Sequence, residues 1–214
     1  MLAKEIAMNA TEKAYQLSTE KHKHLCPRQI LGVRMGIYAG ELLGQQFPQE
    51  KKEVLVIVET DGCFLDGIVA ATGCEVGRRT MRVEDYGKVA ATFVIISTGE
   101  AIRISPKLDV RRIAYRYAPA EPNRWETMQK GYQRIPVDAL FNVEQIQLTQ
   151  PIGDIISRAG VRVNCDACGE EIINEREIEQ DDQILCRACA TPAYYQPAMW
   201  VMGTPGTKKD QDEL

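Results

Sequence analysis

Residues 53–73 read EVLVIVETDGCFLDGIVAATG, a stretch that changes from strand to helix across a short turn. Residues 53–59 are short and rich in β-branched side chains, which predicts a buried strand. The polar residues 60–62 predict the turn that follows, and residues 64–72 predict a short helix. This strand and helix form the centre of the predicted core.

Predicted helices and strands continue on both sides of this centre. Upstream, apolar residues at helical spacing predict a helix near the N-terminus, and a second helix is expected to begin at Pro27 and end at Gly44. Downstream, further strands are predicted over 81–85, 88–97, 101–105 and 141–148, and helices over 110–118, 121–132 and 152–160. Short turns between several of these strands predict a sheet that mixes parallel and antiparallel neighbours.

Length and composition limit the classes of protein that the sequence can encode. The chain has 214 residues and a net charge of -4, which suits one sizeable core with a small appendage. No apolar run reaches the roughly 18 residues that span a bilayer, and the first residues lack the apolar block of a signal peptide. We therefore expect no membrane association and a cytoplasmic location. The acidic balance argues against nucleic acid as a partner.

Seven cysteines in a reducing compartment indicate metal ligands or redox groups rather than disulfides. Four of them form two pairs with two-residue spacing, Cys165 with Cys168 and Cys186 with Cys189. Each pair can occupy one edge of the tetrahedron that zinc prefers, so residues 161–195 predict a zinc finger. Because protein fills all four positions, this zinc is expected to be structural. An iron-sulfur cluster is the alternative occupant.

A second candidate site lies in HKHLCPRQ, residues 21–28, which contains both histidines of the chain. Pro27 favours an extended conformation at Cys26, and side chains two residues apart on an extended chain point to the same side. His22, His24 and Cys26 would then converge. Cys26 would also lie at a helix N-terminus, where a thiol ionises more readily. These residues predict a site for zinc or another late transition metal, or a reactive thiol.

Cys63 follows the strand over 53–59, at the sheet edge where open α/β folds hold ligands. It can therefore meet Cys26 in space, with the carboxylates of Asp61 and Asp66 nearby. Cys74 is either a fourth group of this site or a small buried residue. The competing interpretation of the whole set is a surface histidine pair with cysteines that only fill the core.

Several motifs together resemble the formylmethanofuran dehydrogenase E-subunit family, from about residue 10 to about residue 195. They are HKHLCPRQILGVRMG, DGCFLDGIVAATGCEVGRRTM, the KVAATFVI strand and the four-cysteine module. The family's usual first motif, His-Gly-His-x-Cys-Pro-Gly, is matched here by His22, His24, Cys26 and Pro27. Lys23 and Arg28 replace its two glycines.

The resemblance implies an α+β fold with a thioredoxin-like mixed sheet flanked by helices over residues 1–155. It further implies a metal-binding active site in that core and a small treble-clef zinc finger over 161–195. The family is associated with molybdenum or tungsten formylmethanofuran dehydrogenase. The remaining polar end, residues 203–214, is expected to be a disordered tail.

The second family motif is altered in this chain. Gly73, Gly77 and Arg78 remain, but Glu75 replaces its threonine and Arg79 its second glycine. The two arginines could bind an anionic ligand, or they could belong to a solvated surface turn.

Three functions follow from these patterns. The first is a metal-binding accessory subunit or partner of a molybdenum or tungsten oxidoreductase of the formylmethanofuran dehydrogenase type. The second is a freestanding metal-dependent or thiol-based enzyme, with Cys26, Cys63 and His24 as the catalytic candidates. The third is a zinc-finger module that binds a protein. We also expect a homodimer, and a second zinc or other transition metal at His22, His24, Cys26 and Cys63.

Overall fold

The computed structural model describes the backbone of residues 2–20 and 24–196, with side chains from residue 10 onward. The chain divides into two compact units, residues 1–156 and 157–214. The helices of the first unit are α1 Leu2–Glu20, α2 Pro27–Leu43, α3 Cys63–Thr72, α4 Val110–Tyr117, α5 Arg124–Arg134, α6 Val137–Leu140 and α7 Ile152–Ile156. Its strands are β1 Val54–Val58, β2 Met81–Val83, β3 Ala91–Ile95, β4 Ala101–Pro106 and β5 Phe141–Ile146.

These five strands form one mixed sheet in the order β2-β1-β3-β4-β5. β1 runs parallel to β2, with Val56 opposite Met81, and antiparallel to β3, with Val56 opposite Phe93. The remaining neighbours, β3 with β4 and β4 with β5, are antiparallel. The predicted α+β fold with a mixed sheet flanked by helices is therefore confirmed.

Alternate residues of β1 enter two apolar layers on opposite faces of the sheet. Val54, Val56 and Val58 pack into the main core, to which α1 to α5 contribute, whereas Leu55 packs with Val94 in a smaller cluster that includes α7 residues. Both layers exclude water from β1, which explains why its sequence is apolar at every position instead of every second one.

The predicted strand over 88–97 begins three residues late, at Ala91, because the chain before it turns around one backbone carbonyl. The amides of Tyr86 and Lys88 both donate to the carbonyl oxygen of Glu59 at 3.0 Å. That arrangement satisfies the backbone locally and lifts residues 84–90 away from ladder pairing. None of the described helices is both long and apolar enough to cross a lipid bilayer.

Helices α2 and α3 pack side by side at glycines that lie on facing surfaces. A Cβ atom on Gly32 would lie 2.3 Å from the carbonyl oxygen of Phe64, and one on Gly67 would lie 2.3 Å from that of Gln29. The contact repeats one turn later, where Gly36 meets Ala71. Since residue 32 faces 67 and residue 36 faces 71, the two helices run in the same direction with their N-termini together.

The second unit is built from two short hairpins and one helical turn. β6 Arg162–Asn164 pairs with β7 Glu171–Ile173, β8 Ile178–Gln180 pairs with β9 Gln183–Leu185, and α8 spans Arg187–Ala190. Its buried apolar residues are Cys165, Ile172 and Leu185. A core this small cannot by itself stabilise two hairpins of three-residue strands.

Candidate functional site

The first functional side chain of the core is Cys26, which caps the N-terminus of α2. Its backbone is extended, with φ -91° and ψ 159°, as the following Pro27 requires. The Cys26 amide donates to Oε1 of Gln29 at 2.7 Å, and the Gln29 amide donates to Sγ of Cys26 at 3.5 Å. This reciprocal cap holds the sulfur at the positive end of the helix dipole.

Gln29 itself is fixed by the core, because it is fully buried and its Nε2 donates to the carbonyl oxygen of Ser18 in α1 at 2.7 Å. The position of the Cys26 sulfur therefore depends on α1 as well as on its own helix.

Cys63 opens α3 directly beside Cys26. The two thiols form a hydrogen bond, as the parallel packing of α2 and α3 predicts for residues at adjacent helix N-termini. Burial raises the pKa of the Cys63 thiol, and the Cys26 hydrogen bond and the charges of Cys26 and Asp66 raise it further. The expected meeting of Cys26 and Cys63 is thus present in the structure as a contact between two thiols.

His24 lies before this pair, in the segment that connects α1 to α2. Its ring packs edge-on against Trp125 of α5, with the ring centroids 5.7 Å apart. Nearby, Nε2 of Gln129 donates to the carbonyl oxygen of Leu25 at 2.8 Å, which attaches this segment to α5. His22 lies outside the described residues.

The thiol pair lines an open cavity of about 1150 Å³. Its wall comes from the N-termini of α2 and α3, the loop before β3, the end of β4, and helices α4 and α5. Leu31, Met128 and the rings of Trp125 and Tyr132 provide an apolar part of this wall. The volume is in the range of pockets that hold cofactor-sized molecules.

Six basic side chains also line the cavity, and we refer to them as the basic cluster: Arg28, Lys88, Arg103, Lys107, Arg111 and Arg124. One of them, Arg103, is anchored by the buried Glu59 through hydrogen bonds of 2.6 and 2.8 Å. That pairing raises the pKa of the Arg103 guanidinium. No carboxylate is among the described lining residues, so the cavity has a strongly positive wall.

In the second unit, four cysteines converge on one point. The donor atoms of Cys165, Cys168, Cys186 and Cys189 all lie within 4.8 Å of one another. Gly169 follows the first pair with φ 77°, a left-handed conformation that glycine adopts without strain, and its amide donates to the Cys165 carbonyl. Among the described residues this is the one group of three or more such ligands with that spacing.

The electrostatics of this group suit a metal. Backbone amides of Cys186 and Cys168 donate to the Cys165 sulfur, the former at 3.2 Å, and lower the pKa of that thiol to about 6. By contrast, hydrogen bonding to Cys186, burial and the other thiols raise the pKa of Cys189 to about 12. Four adjacent thiols cannot all ionise without a cation between them, and a bound metal would replace these protons.

Comparison with known families identifies the core. The family model FmdE, described as Molybdenum formylmethanofuran dehydrogenase operon, matches residues 21–145, more than half of the chain. That range includes Cys26, Cys63 and every residue that lines the cavity. The chain belongs to the FmdE family. The resemblance inferred from HKHLCP and the second motif is confirmed.

Two relatives extend this finding beyond the matched range. The FmdE chain is 31% identical over 199 residues to a probable S-adenosyl-L-methionine-binding protein from Archaeoglobus fulgidus, covering 82% of this chain and 52% of that protein. It thus spans about half the length of this curated relative. A crystal structure of an FmdE-like protein of tungsten formylmethanofuran dehydrogenase, from Syntrophus aciditrophicus, superposes with a TM-score of 0.50 at 21% identity, covering 87% of this chain and 95% of that one. At this identity the likeness shows a shared fold.

The structure places Cys74 of the FmdE core away from the thiol pair. It follows the other end of α3, about 15 Å along a ten-residue helix. The Cys74 side chain is fully buried, where Gln49 donates to its sulfur at 2.8 Å and burial raises its pKa. Of the two interpretations of Cys74, the small buried residue fits this environment.

Arg78 and Arg79 of the altered second motif use their guanidinium groups inside the FmdE core. Arg78 donates to the carbonyl oxygens of Gly73 and Glu50, and Arg79 donates to that of Ile156. Neither lines the cavity. Their positive charges brace a turn, whereas the basic cluster escaped sequence analysis because its members come from five separate segments.

Proposed function

We propose that this FmdE chain is a metal-binding component of an oxidoreductase system of the formylmethanofuran dehydrogenase type, with its functional site at Cys26, Cys63 and His24. The observation that carries the proposal is the contact between two thiols from different helices at the wall of a cofactor-sized cavity. Two cysteines with no structural pairing task are otherwise rare in such a position.

The donor set suits a transition metal. Two thiols and one imidazole are the soft ligands that zinc and other late transition metals prefer. His24 is the proposed imidazole ligand, and His22 acts from the rim. Because protein supplies three groups or fewer, one coordination position stays open for water or ligand, and occupancy is expected to be partial. When bound, the metal supplies Lewis acidity beside the cavity.

Oxidoreductase subunits are the proposed partners. The family description names a molybdenum formylmethanofuran dehydrogenase operon, which supports a role beside that enzyme. The thiol pair also favours a second candidate, a freestanding thiol-based enzyme in which Cys26 is the nucleophile and Cys63 its neighbour. A zinc-finger module that binds protein is the third, supported by the exposed rings of Tyr194 and Tyr195 in the second unit.

Cobalt titration of the intact zinc-loaded chain tests the core site. Wild-type protein is expected to take up a further metal equivalent with a thiolate-to-cobalt absorption band, which Cys63→Ser and Cys26→Ser should abolish and His24→Ala should weaken about tenfold or more. Cys74→Ala is the control, because it removes a core thiol that lies away from the site. Identical uptake by all five proteins would refute the metal site.

We also propose a homodimer formed through the sheet edge. Among the described strands β5 is an edge strand, and its residues 142–145 are exposed, so unpaired backbone groups are available to a second copy. Light scattering should give twice the monomer mass of 24.0 kDa. Val143→Lys, which adds a charge to that edge, should shift the mass toward the monomer. Monomeric wild-type protein at micromolar concentration would rule the proposal out.

A further inference from the structure

The positive wall of the cavity is larger than the core fold requires. Only Arg103 of the basic cluster has a carboxylate partner, through Glu59 and, at 3.7 Å, Glu144. Within the part of the chain whose side chains are described, the other five members form no ion pair. Five positive charges therefore face one cavity without neutralisation, at a cost in mutual repulsion that a bound anion would remove.

The cluster converges from separate parts of the chain. Arg28 comes from the first residues of α2, Lys88 from the loop before β3, Lys107 from the segment after β4, Arg111 from α4 and Arg124 from α5. A basic surface of one amphipathic helix would place its charges on one element and direct them to solvent. Here five elements bring their charges to a common wall, which is the arrangement of a binding site.

The cavity also selects for size and for an apolar part. Its volume of about 1150 Å³ exceeds what a single inorganic anion fills. Trp125, which is 43% exposed, and the side chains of Leu31 and Met128 offer a flat and apolar contact beside the charges. At Tyr132 the hydroxyl is hydrogen-bonded to Arg111, so this ring fixes one member of the basic cluster against the apolar wall.

We infer that the cavity binds an elongated polyanion, with two or more phosphate or carboxylate groups held by the basic cluster and an apolar or aromatic part packed on Trp125. Arginine provides paired N–H donors that match both anionic groups, and such charge-assisted hydrogen bonds are the stronger kind. Because Cys26 and Cys63 line the same cavity, the bound molecule lies beside the thiols. This inference stands on the charges and not on the proposed metal, so either can fail without the other.

Fluorescence of Trp125 provides a direct measurement. The chain contains two tryptophans, so a Trp200→Phe background isolates Trp125. The probes are ADP for phosphate, benzene-1,3,5-tricarboxylate for carboxylate, and adenosine as the uncharged match to ADP, in buffer without added metal. At least one anionic probe should bind saturably, and its affinity should fall as salt rises from 50 to 500 mM, by about tenfold. Adenosine should bind at least about tenfold more weakly than ADP if phosphate is recognised.

Charge-matched variants separate the site from net charge. Arg28→Gln/Arg124→Gln removes two members of the cluster and should weaken the anionic probe about a hundredfold, at about tenfold for each lost pairing. Lys51→Gln/Arg116→Gln removes two exposed charges outside the cavity and should leave affinity within about twofold. Equal weakening by both pairs, no saturable binding of either anionic probe, or equal binding of adenosine and ADP would overturn the inference.

Discussion

Replacement of Cys186 by serine is expected to release the metal of the second unit and to unfold residues 161–190. The two hairpins there have strands of three residues, and three side chains form their buried apolar core. Conformational entropy exceeds what so little burial can offset, so the folded state depends on the four thiolates and their metal. Metal binding at such sites contributes about 10–16 kcal/mol, and its loss removes the folding free energy of the unit.

Metal analysis and limited proteolysis measure this effect together. Cys186→Ser should lose the tightly held zinc and gain cleavage sites between residues 157 and 196, while residues 10–156 stay protected by their own core. Cys74→Ala is the matched control, because Cys74 is buried in the first unit and far from the four-cysteine group in sequence and role. The control should retain its zinc. Full zinc content in Cys186→Ser would disprove a structural four-cysteine zinc site.

Gly67→Ala is expected to cost about 3 kcal/mol of the free energy of unfolding, the second largest effect. The added Cβ would lie 2.3 Å from the carbonyl oxygen of Gln29 and 2.9 Å from the amide nitrogen of Val33. Both are backbone atoms of a buried helix, so no side chain can rotate away and α2 must separate from α3. The same displacement would move Cys63 from Cys26, and metal uptake at the core should fall with stability.

Urea unfolding of the intact chain followed by circular dichroism measures the change. Alanine is the better helix former by about 1 kcal/mol, so any loss must come from the clash. Gly153→Ala in α7 is the control, since a Cβ there meets nothing within 4 Å. It should be neutral or stabilise by about 0.5 kcal/mol. If the two variants unfold at the same urea concentration, the close packing of α2 on α3 is not what positions the thiols.

Local sequence patterns predicted most of the elements correctly, because their causes are local. Pro27 and Gly44 bound α2 as expected, since one is favoured in the first helical turn and the other adopts φ 62° at the cap. The apolar run over 53–59 became a central strand. The strand predicted over 88–97 was too long, because the carbonyl of Glu59, far upstream, accepts two of its neighbours' amides.

The candidate sites differ in how much their sequence spacing could reveal. Two Cys-x2-Cys pairs place four sulfurs by short-range geometry, so the group was predicted in full before any tertiary contact was known. The extended conformation of Cys26 before Pro27 was equally predictable. The part played by His24 was less so, because the ring contacts Trp125, a residue about a hundred positions away in another helix.

The sequence by itself determined the mixed α+β architecture, the family, the helix cap at Cys26 and the four-cysteine group. Each follows from residues within a few positions of one another, where backbone preference and ligand spacing act directly. Only the tertiary structure decided that Cys26 meets Cys63, that Cys74 does not join them, and that cations from five elements share one cavity. Those outcomes depend on glycines that let α2 approach α3 and on chain segments up to about a hundred residues apart, and no local pattern encodes such distances.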